Sequence, residues 1–388
     1  MDTKEKCLTI FIDLAKAFDT VSVPHLLCKL SKLEIRGQPL SLFHNYLCDR
    51  RQRVGILDKV SEECTIEYGV PQGSILGPTL FLTYIKDLCR LDMQGGRIFS
   101  FADDTALFFC GKSWSEVFSL AQNGFEKVSN WLHTNVLTLN VQKTKYMTFA
   151  LRTDQRHPSS LSIRAHIPLC IDHHQCECPQ LSETDCIKYL GVLIDRTLSF
   201  KGHIEALISR LRKLIYLFKC LRNVADRKVI RMVLFALCQS LVDYCITAWG
   251  GSAKTFLIQA ERAHRAVLKV SAGLPFRSPT FELYKYWDLL TIRQTFILHT
   301  IARQHAQITY DPHVVEGKRR KFAVCPVKKR NTTFCQKTFT FLGPHLYNKF
   351  NKRLNIYPLN KFHCRKKTIT YLKTLNYEET EKILELPK

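Results

Sequence analysis

The stretch "RIFSFADDTALFF", residues 97–109, constrains the chain more than any other. It reads as two apolar strands joined by a two-residue turn, an antiparallel hairpin with both arms largely covered. Within "FADDTALFF" the adjacent Asp103 and Asp104 are the only charges. Two neighbouring carboxylates cannot both be buried unpaired, because desolvation and like-charge repulsion add. Either the tip is a solvated turn, where Asp is common, or a divalent cation is shared between them. A third carboxylate at the end of a neighbouring strand would complete a two-metal clamp. Asp13, which ends the apolar run "CLTIFID" (residues 7–13), is the candidate. That run suits a strand covered on both faces.

Between and beyond these strands the patterning alternates. Residues 23–50 read as two helices parted by Gly37 and Pro39, and "RRQRVGIL" as a basic strand or loop edge. "GVPQGSILGPTLFLTYIKDL", residues 69–88, begins as a Gly/Pro turn and becomes an apolar helix. Ser113 with Glu116 fits a capping box that opens a helix to about His133. "VLTLNVQKTKYMTFA" and "IKYLGVLID" each read as a strand, and residues 151–186 carry the least pattern. From His203 a helical period sets in, and further helices are expected near 226–243 and 255–271. An α+β portion therefore precedes an all-helical one.

Lys plus Arg is 57 against 34 Asp plus Glu, a net charge of +23. This surplus favours a polyanionic partner, nucleic acid before membrane, although a solvated basic surface would look the same. The start, "MDTKEKCLTI", has no signal-peptide h-region. The most apolar long stretch, residues 232–249, carries Gln239, Ser240 and Asp243, which argues against a membrane span. Without an export signal the 16 cysteines read as reduced thiols, and an intracellular setting, nucleus or cytoplasm, is expected. "DHHQCECPQ" brings His173, His174, Cys176 and Cys178, with Cys186 further on. CxC lacks the CxxC spacing and no second paired half follows at zinc-finger distance, so the segment reads as a loop in an insertion.

Taken in order, "FIDLAKAFDTV", "GVPQGSILGP", "FADD", "LTLNVQKTK" and "KYLGV" resemble the palm motifs of a reverse transcriptase, closest to those of non-LTR (LINE-type, Jockey-like) retrotransposons. The resemblance covers residues 7 to about 275. It implies a right-hand palm, an antiparallel sheet with helices, followed by a helical thumb. The implied domains are 1–200 (palm with partial fingers), 201–290 (thumb-like) and 291–388 (a basic C-terminal extension). It further implies that Asp13 and Asp103 hold two Mg²⁺ ions, with Mn²⁺ as a substitute, that Asp104 assists, and that the backbone carbonyl of Leu14 adds a ligand. Phe18 corresponds to the aromatic gate against a ribose 2′-OH, with Asp19 orienting the turn beside it. Gly69 and Gly73 allow close backbone approach, and Gln72 reaches the template–nucleotide pair. Lys143 corresponds to the basic residue facing the leaving pyrophosphate, and Tyr189, Leu190 and Gly191 to the primer grip. RNA template, DNA primer and dNTPs are the implied partners.

Taken singly, Phe18 suits an ordinary core, "GVPQGS" a helix-entry turn, Lys143 an exposed lysine and residues 189–191 a plain core strand. Val141, Lys86 and Phe101 stand where relatives carry Pro, Asn and Tyr. The first palm strand starts about six residues from Met1, and neither an upstream fingers segment nor an endonuclease domain is found. The expectation is an N-terminally truncated polymerase with fingers largely missing. Its alternative is an inactive nucleic-acid-binding remnant. A group II intron maturase or telomerase-like polymerase shares the palm but fits "KAFDTV" and "GVPQGSILGP" less well.

Overall fold

The structure, a computed structural model, describes residues 5–150, 156–166, 170, 176–275, 277–309 and 324–385. The chain forms two compact units, Thr3–Leu190 and Gly191–Lys388.

The first unit is built on a five-stranded sheet in the order Gly96–Phe101, Asp104–Gly111, Lys6–Ile12, Lys145–Phe149, Ser182–Glu183. The first four strands pair antiparallel and the last joins parallel. Lys6–Ile12 is central, and its side chains alternate between two cores. Leu8, Ile10 and Ile12 pack with the helices, while Phe11 joins Ala106 and Met147 on the opposite face. This is why the run lacks polar alternation. Helix Trp114–Thr134 covers the first face with Val117, Phe118, Ala121, Phe125, Val128 and Leu132. Ser113 caps it by accepting from Glu116 N, while the Glu116 carboxylate accepts from Lys112 N instead of Ser113 N. Helices Val23–Lys32, Gln38–Leu47 and Gly77–Ile85 each carry Pro in the first turn, where no amide hydrogen is needed.

Two expected strands are shorter than the apolar pattern suggests. In "VLTLNVQKTKYMTFA" only Lys145–Phe149 is strand, and the preceding residues form a turn with one isolated β-bridge, Leu14 to Leu139. "IKYLGVLID" is broken after Tyr189 by a turn in which Leu190 (φ 46°) and Gly191 (φ 79°) are both left-handed.

The second unit is helical. Lys201–Leu221 packs on Lys254–Ser271, and Ile292–Ala306 packs on Phe339–Leu354 and Lys361–Thr374. One hydrophobic core runs from Ile204 to Ile383, so residues 201–290 and 291–388 share a core and do not form separate ones. The helix expected at 226–243 is interrupted. Arg227–Val233 passes into a π-helical stretch, Leu234–Gln239, before Ser240–Asp243. Among the described residues no helix is long and apolar enough to cross a membrane. The basic run "GKRRK" and the pair His173 and His174 lie outside the described residues.

Candidate active site

Strand pairing brings the three carboxylates together. Ile12 faces Thr105, so Asp13 and Asp104 follow at the same end of adjacent strands. Phe101 pairs with Asp104, which leaves Ala102 and Asp103 as the two-residue turn. Ala102 holds φ 52°, a left-handed conformation costly for a residue with a Cβ. Asp103 and Asp104 are exposed and Asp13 is half-buried. Desolvation, then the charge of Asp103, then that of Asp13 hold the Asp104 carboxyl above the usual carboxylate range. Among the described residues none of the three is ion-paired to a basic side chain.

The turn after Leu139 pins Asp13. Asn140 N donates to Asp13 O at 2.9 Å, and Asp13 N donates to Thr144 Oγ1 at 3.2 Å. Lys143 lies in this turn, exposed, its N donating to Asn140 O at 3.2 Å and to Asn140 Oδ1 at 3.3 Å.

A second segment closes on the first. Gly69 N donates to Val21 O and Val70 N to Phe18 O, at 2.7 and 2.9 Å. A Cβ on Gly69 would stand 2.8 Å from Asp19 Cα and 2.9 Å from Phe18 O, and Gly69 has φ +88°. Glycine is therefore required by both space and conformation. Gly73, at φ +80°, faces open space. Gln72 Nε2 donates to Asp19 Oδ1 at 2.7 Å. Asp19, read from sequence as a turn residue, thus orients Gln72. Phe18 is half-buried and stacked on Phe81 at 4.4 Å.

Tyr189 lies on the other face of the sheet. Its ring is 5.4 Å from Phe11, and its hydroxyl reaches Phe99 O at 3.5 Å. Desolvation, then the nearby Asp104 charge, raises its pKa. Phe99 (52% exposed) and Phe101 (68% exposed) project along the edge strand Gly96–Phe101. Phe99 escaped the sequence reading, although the alternation of "RIFSF" places it on the face of Phe101. Asp13, Asp103, Asp104 and Tyr189 therefore converge. Phe18, Gln72 and Gly73 form an adjoining group around Asp19, and Lys143 and Leu190 sit in turns next to residues of the site.

An antiparallel sheet backed by helices, with carboxylates gathered at adjacent strand ends, defines the palm of a nucleic-acid polymerase. The profile of the family described as "Reverse transcriptase (RNA-dependent DNA polymerase)" matches residues 1–194, and the chain belongs to this family. Relatives in Drosophila melanogaster include the probable RNA-directed DNA polymerase from transposon BS, 26% identical over 77% of this chain and 32% of that protein. The RNA-directed DNA polymerase from mobile element jockey is 27% identical over 79% of this chain and 32% of that protein. The probable polymerase from transposon X-element is 30% identical over 54% and 22%. The chain thus spans about a third of the length of the first two relatives. Among solved structures, telomerase from Candida albicans, in complex with a TWJ fragment of telomeric RNA, aligns with a TM-score of 0.34 and 13% identity over 80% of this chain and 49% of that one.

Proposed function

We propose that this chain is the polymerase core of a non-LTR retrotransposon, joining dNTPs to a DNA primer 3′-OH along an RNA template. The observation that carries this reading is the convergence of Asp13, Asp103 and Asp104 at adjoining strand ends, where desolvation first, then the Asp103 and Asp13 charges, raise the Asp104 pKa. Hard carboxylate oxygens in this number suit divalent magnesium, with manganese as a substitute. Asp13 and Asp103 would hold two ions, with Asp104 assisting. When bound, such ions lower the pKa of the primer hydroxyl and offset charge on the leaving pyrophosphate.

The remaining residues position the reactants. Phe18, backed by Phe81, presents a fixed apolar wall that excludes a 2′-OH by clash. Gln72, oriented by Asp19, is directed toward the template–nucleotide pair, with Gly73 leaving the approach open. Lys143 faces the pyrophosphate. Tyr189, Leu190 and Gly191, with Phe99 and Phe101 beside Tyr189, hold the primer end. In the helical unit, Arg212, Lys213 and Arg262 line a groove between Lys201–Leu221 and Lys254–Ser271, suited to a sugar–phosphate backbone without reading sequence. The 16 cysteines, read as reduced thiols, support a reducing, intracellular setting.

The test is primer extension on poly(rA)–oligo(dT) with wild type and Asp103→Asn side by side. Expected are divalent-ion-dependent synthesis by wild type and its loss in the variant, with duplex binding retained in both. Undiminished synthesis by Asp103→Asn would remove the carboxylate cluster from the chemistry. Binding without synthesis by wild type would favour the inactive remnant.

A further inference from the structure

The loop after strand Lys145–Phe149 gathers soft ligands that play no part in the polymerase site. His166 Nδ1 lies 3.3 Å from Cys176 Sγ and 3.7 Å from Cys170 Sγ. With Cys178 Sγ, the four ligand atoms all fall within 4.8 Å of one another. A tetrahedral zinc ion with Zn–N and Zn–S bonds of about 2.0–2.3 Å separates its ligand atoms by roughly 3.5–3.8 Å. The His166–Cys distances fall on either side of the roughly 3.5 Å expected between a nitrogen and a sulfur ligand. We propose that His166, Cys170, Cys176 and Cys178 form a structural zinc site that clamps the insertion preceding strand Cys186–Tyr189.

Two independent features support it. The first is the environment of His166. While Nδ1 faces the thiols, Nε2 lies 3.7 Å from Glu126 Oε1. A metal-bound histidine characteristically turns its other ring nitrogen to a carboxylate, which fixes ring and tautomer. Glu126 is itself held by Gln122 Nε2 at 2.7 Å. The second is that the residues flanking His166 and the Cys176–Cys178 stretch are fixed by contacts outside the cluster. Ala165 N donates to Pro179 O and Leu181 N to Ile163 O, each at 2.8 Å, which sets residues 163–165 beside 179–181. Ile163, Ala165 and Leu181 are buried in the palm core. Gln122 exchanges hydrogen bonds with Arg164 N and O at 2.9 and 3.0 Å, and Arg164 Nη1 donates to Cys176 O at 2.8 Å. These contacts hold His166 and the Cys176–Cys178 stretch beside each other. Three thiolates and an imidazole select zinc over magnesium, so this site and the carboxylate site take different ions. The sequence hides it because Cys176-x-Cys178 pairs with an upstream His166-x₃-Cys170 half rather than with a CxxC.

The full chain, produced with zinc and dialysed, should carry about one zinc ion by elemental analysis. Cys176→Ser with Cys178→Ser should abolish it, while Cys28→Ser with Cys64→Ser, exposed and elsewhere, should not. Cobalt exchanged into the wild-type chain should show thiolate-to-metal charge transfer and tetrahedral d–d bands. Glu126→Gln should retain the stoichiometry but weaken zinc by about 10–100-fold in competition with a chromogenic chelator. Substoichiometric zinc in wild type, zinc that survives the Cys176/Cys178 change, or a disulfide among the three cysteines by mass spectrometry would overturn the proposal. If the double variant does not fold, the cobalt spectrum of wild type decides, and absence of thiolate bands overturns it.

Discussion

Desolvation first, then the charges of Asp103 and Asp13, raise the Asp104 pKa, and the folded chain therefore binds its proton more readily than the unfolded chain. The sign follows from linkage. A carboxyl with a raised folded pKa contributes stability below its unfolded value, and that contribution is lost as pH rises through the folded value. At neutral pH without metal, Asp104→Asn should therefore raise Tm. The part of the gain that comes from the Asp103 and Asp13 charges should shrink in salt, and the whole gain should vanish as pH falls below the carboxylate range of about 3.9. With magnesium the order should reverse, because wild type gains more from a ligand bound only by the native state. Differential scanning fluorimetry in EDTA and in magnesium checks this, and no gain in EDTA would mean that neither burial nor the neighbouring charges disfavour the ionised Asp104. The two glycines of "GVPQGS" make a sharper comparison. Gly69→Ala meets immovable backbone at 2.8–2.9 Å as well as a positive φ, while Gly73→Ala meets only the positive φ. We expect about 1–2 kcal/mol for Gly73→Ala and a clearly larger loss for Gly69→Ala by urea unfolding. Equal losses would mean that the two motifs are not in tight contact.

Elements built on local periodicity are the legible ones. The apolar spacing from Ile204 to Leu221 and from Leu257 to Leu268 matches the helices found there. The hairpin at Asp103 and Asp104 was legible because two apolar runs met at a short polar tip. Three features were not. The break at Leu190 puts an apolar side chain in a left-handed turn, which strand patterning cannot signal. The π-helical stretch Leu234–Gln239 keeps enough apolar residues on the core side to mimic a continuous helix. The C-terminal residues looked like a basic extension, yet buried Gln294 donates to Leu372 O and Leu375 O at 2.8 and 3.2 Å. Arg293 also bridges Glu381 at 2.7 Å. Contacts across some eighty residues leave no local trace. One consequence concerns acid. Helix Lys254–Ser271 buries His264, whose Nδ1 lies 3.1 Å from Tyr284 Oη. Burial first, against an opposing Asp243 charge and with Arg265 adding to it, lowers its pKa to about 4. A depressed folded pKa means stability is fully present above about 6.5 and is lost as pH falls toward 4, by up to about 3 kcal/mol. Urea unfolding at pH 7, 5.5 and 4.5 should show this slope in wild type and a shallower one in His264→Gln. Parallel slopes would assign the acid sensitivity elsewhere.

At the scale of the whole molecule the +23 charge was evident in the sequence, but its placement was not. Composition cannot tell a diffuse basic field from a track. The structure exposes Arg210, Arg212, Lys213 and Lys219 along Lys201–Leu221, while Leu207, Leu211 and Phe218 face the core. The helical period that buries one face thus leaves the cations together on the rest. A second basic group, Arg365, Lys366 and Lys367, is exposed on Lys361–Thr374. The two are separable by counterion release, since each phosphate contact contributes about −0.9 to the slope of log K against log salt on duplex DNA. If the groove beside Arg212 and Lys213 follows a duplex, Arg212→Ala with Lys213→Ala should flatten the slope by roughly 2 on a template–primer duplex. Lys366→Ala with Lys367→Ala removes the same charge and should leave the slope nearly unchanged. Fluorescence anisotropy with a labelled RNA–DNA duplex over a salt series reads both. Equal flattening by the two pairs would mean that the chain attracts nucleic acid through its net field, with no ordered track on the helical unit. An unchanged slope in the Arg212/Lys213 variant would move the phosphate contacts off that helix altogether.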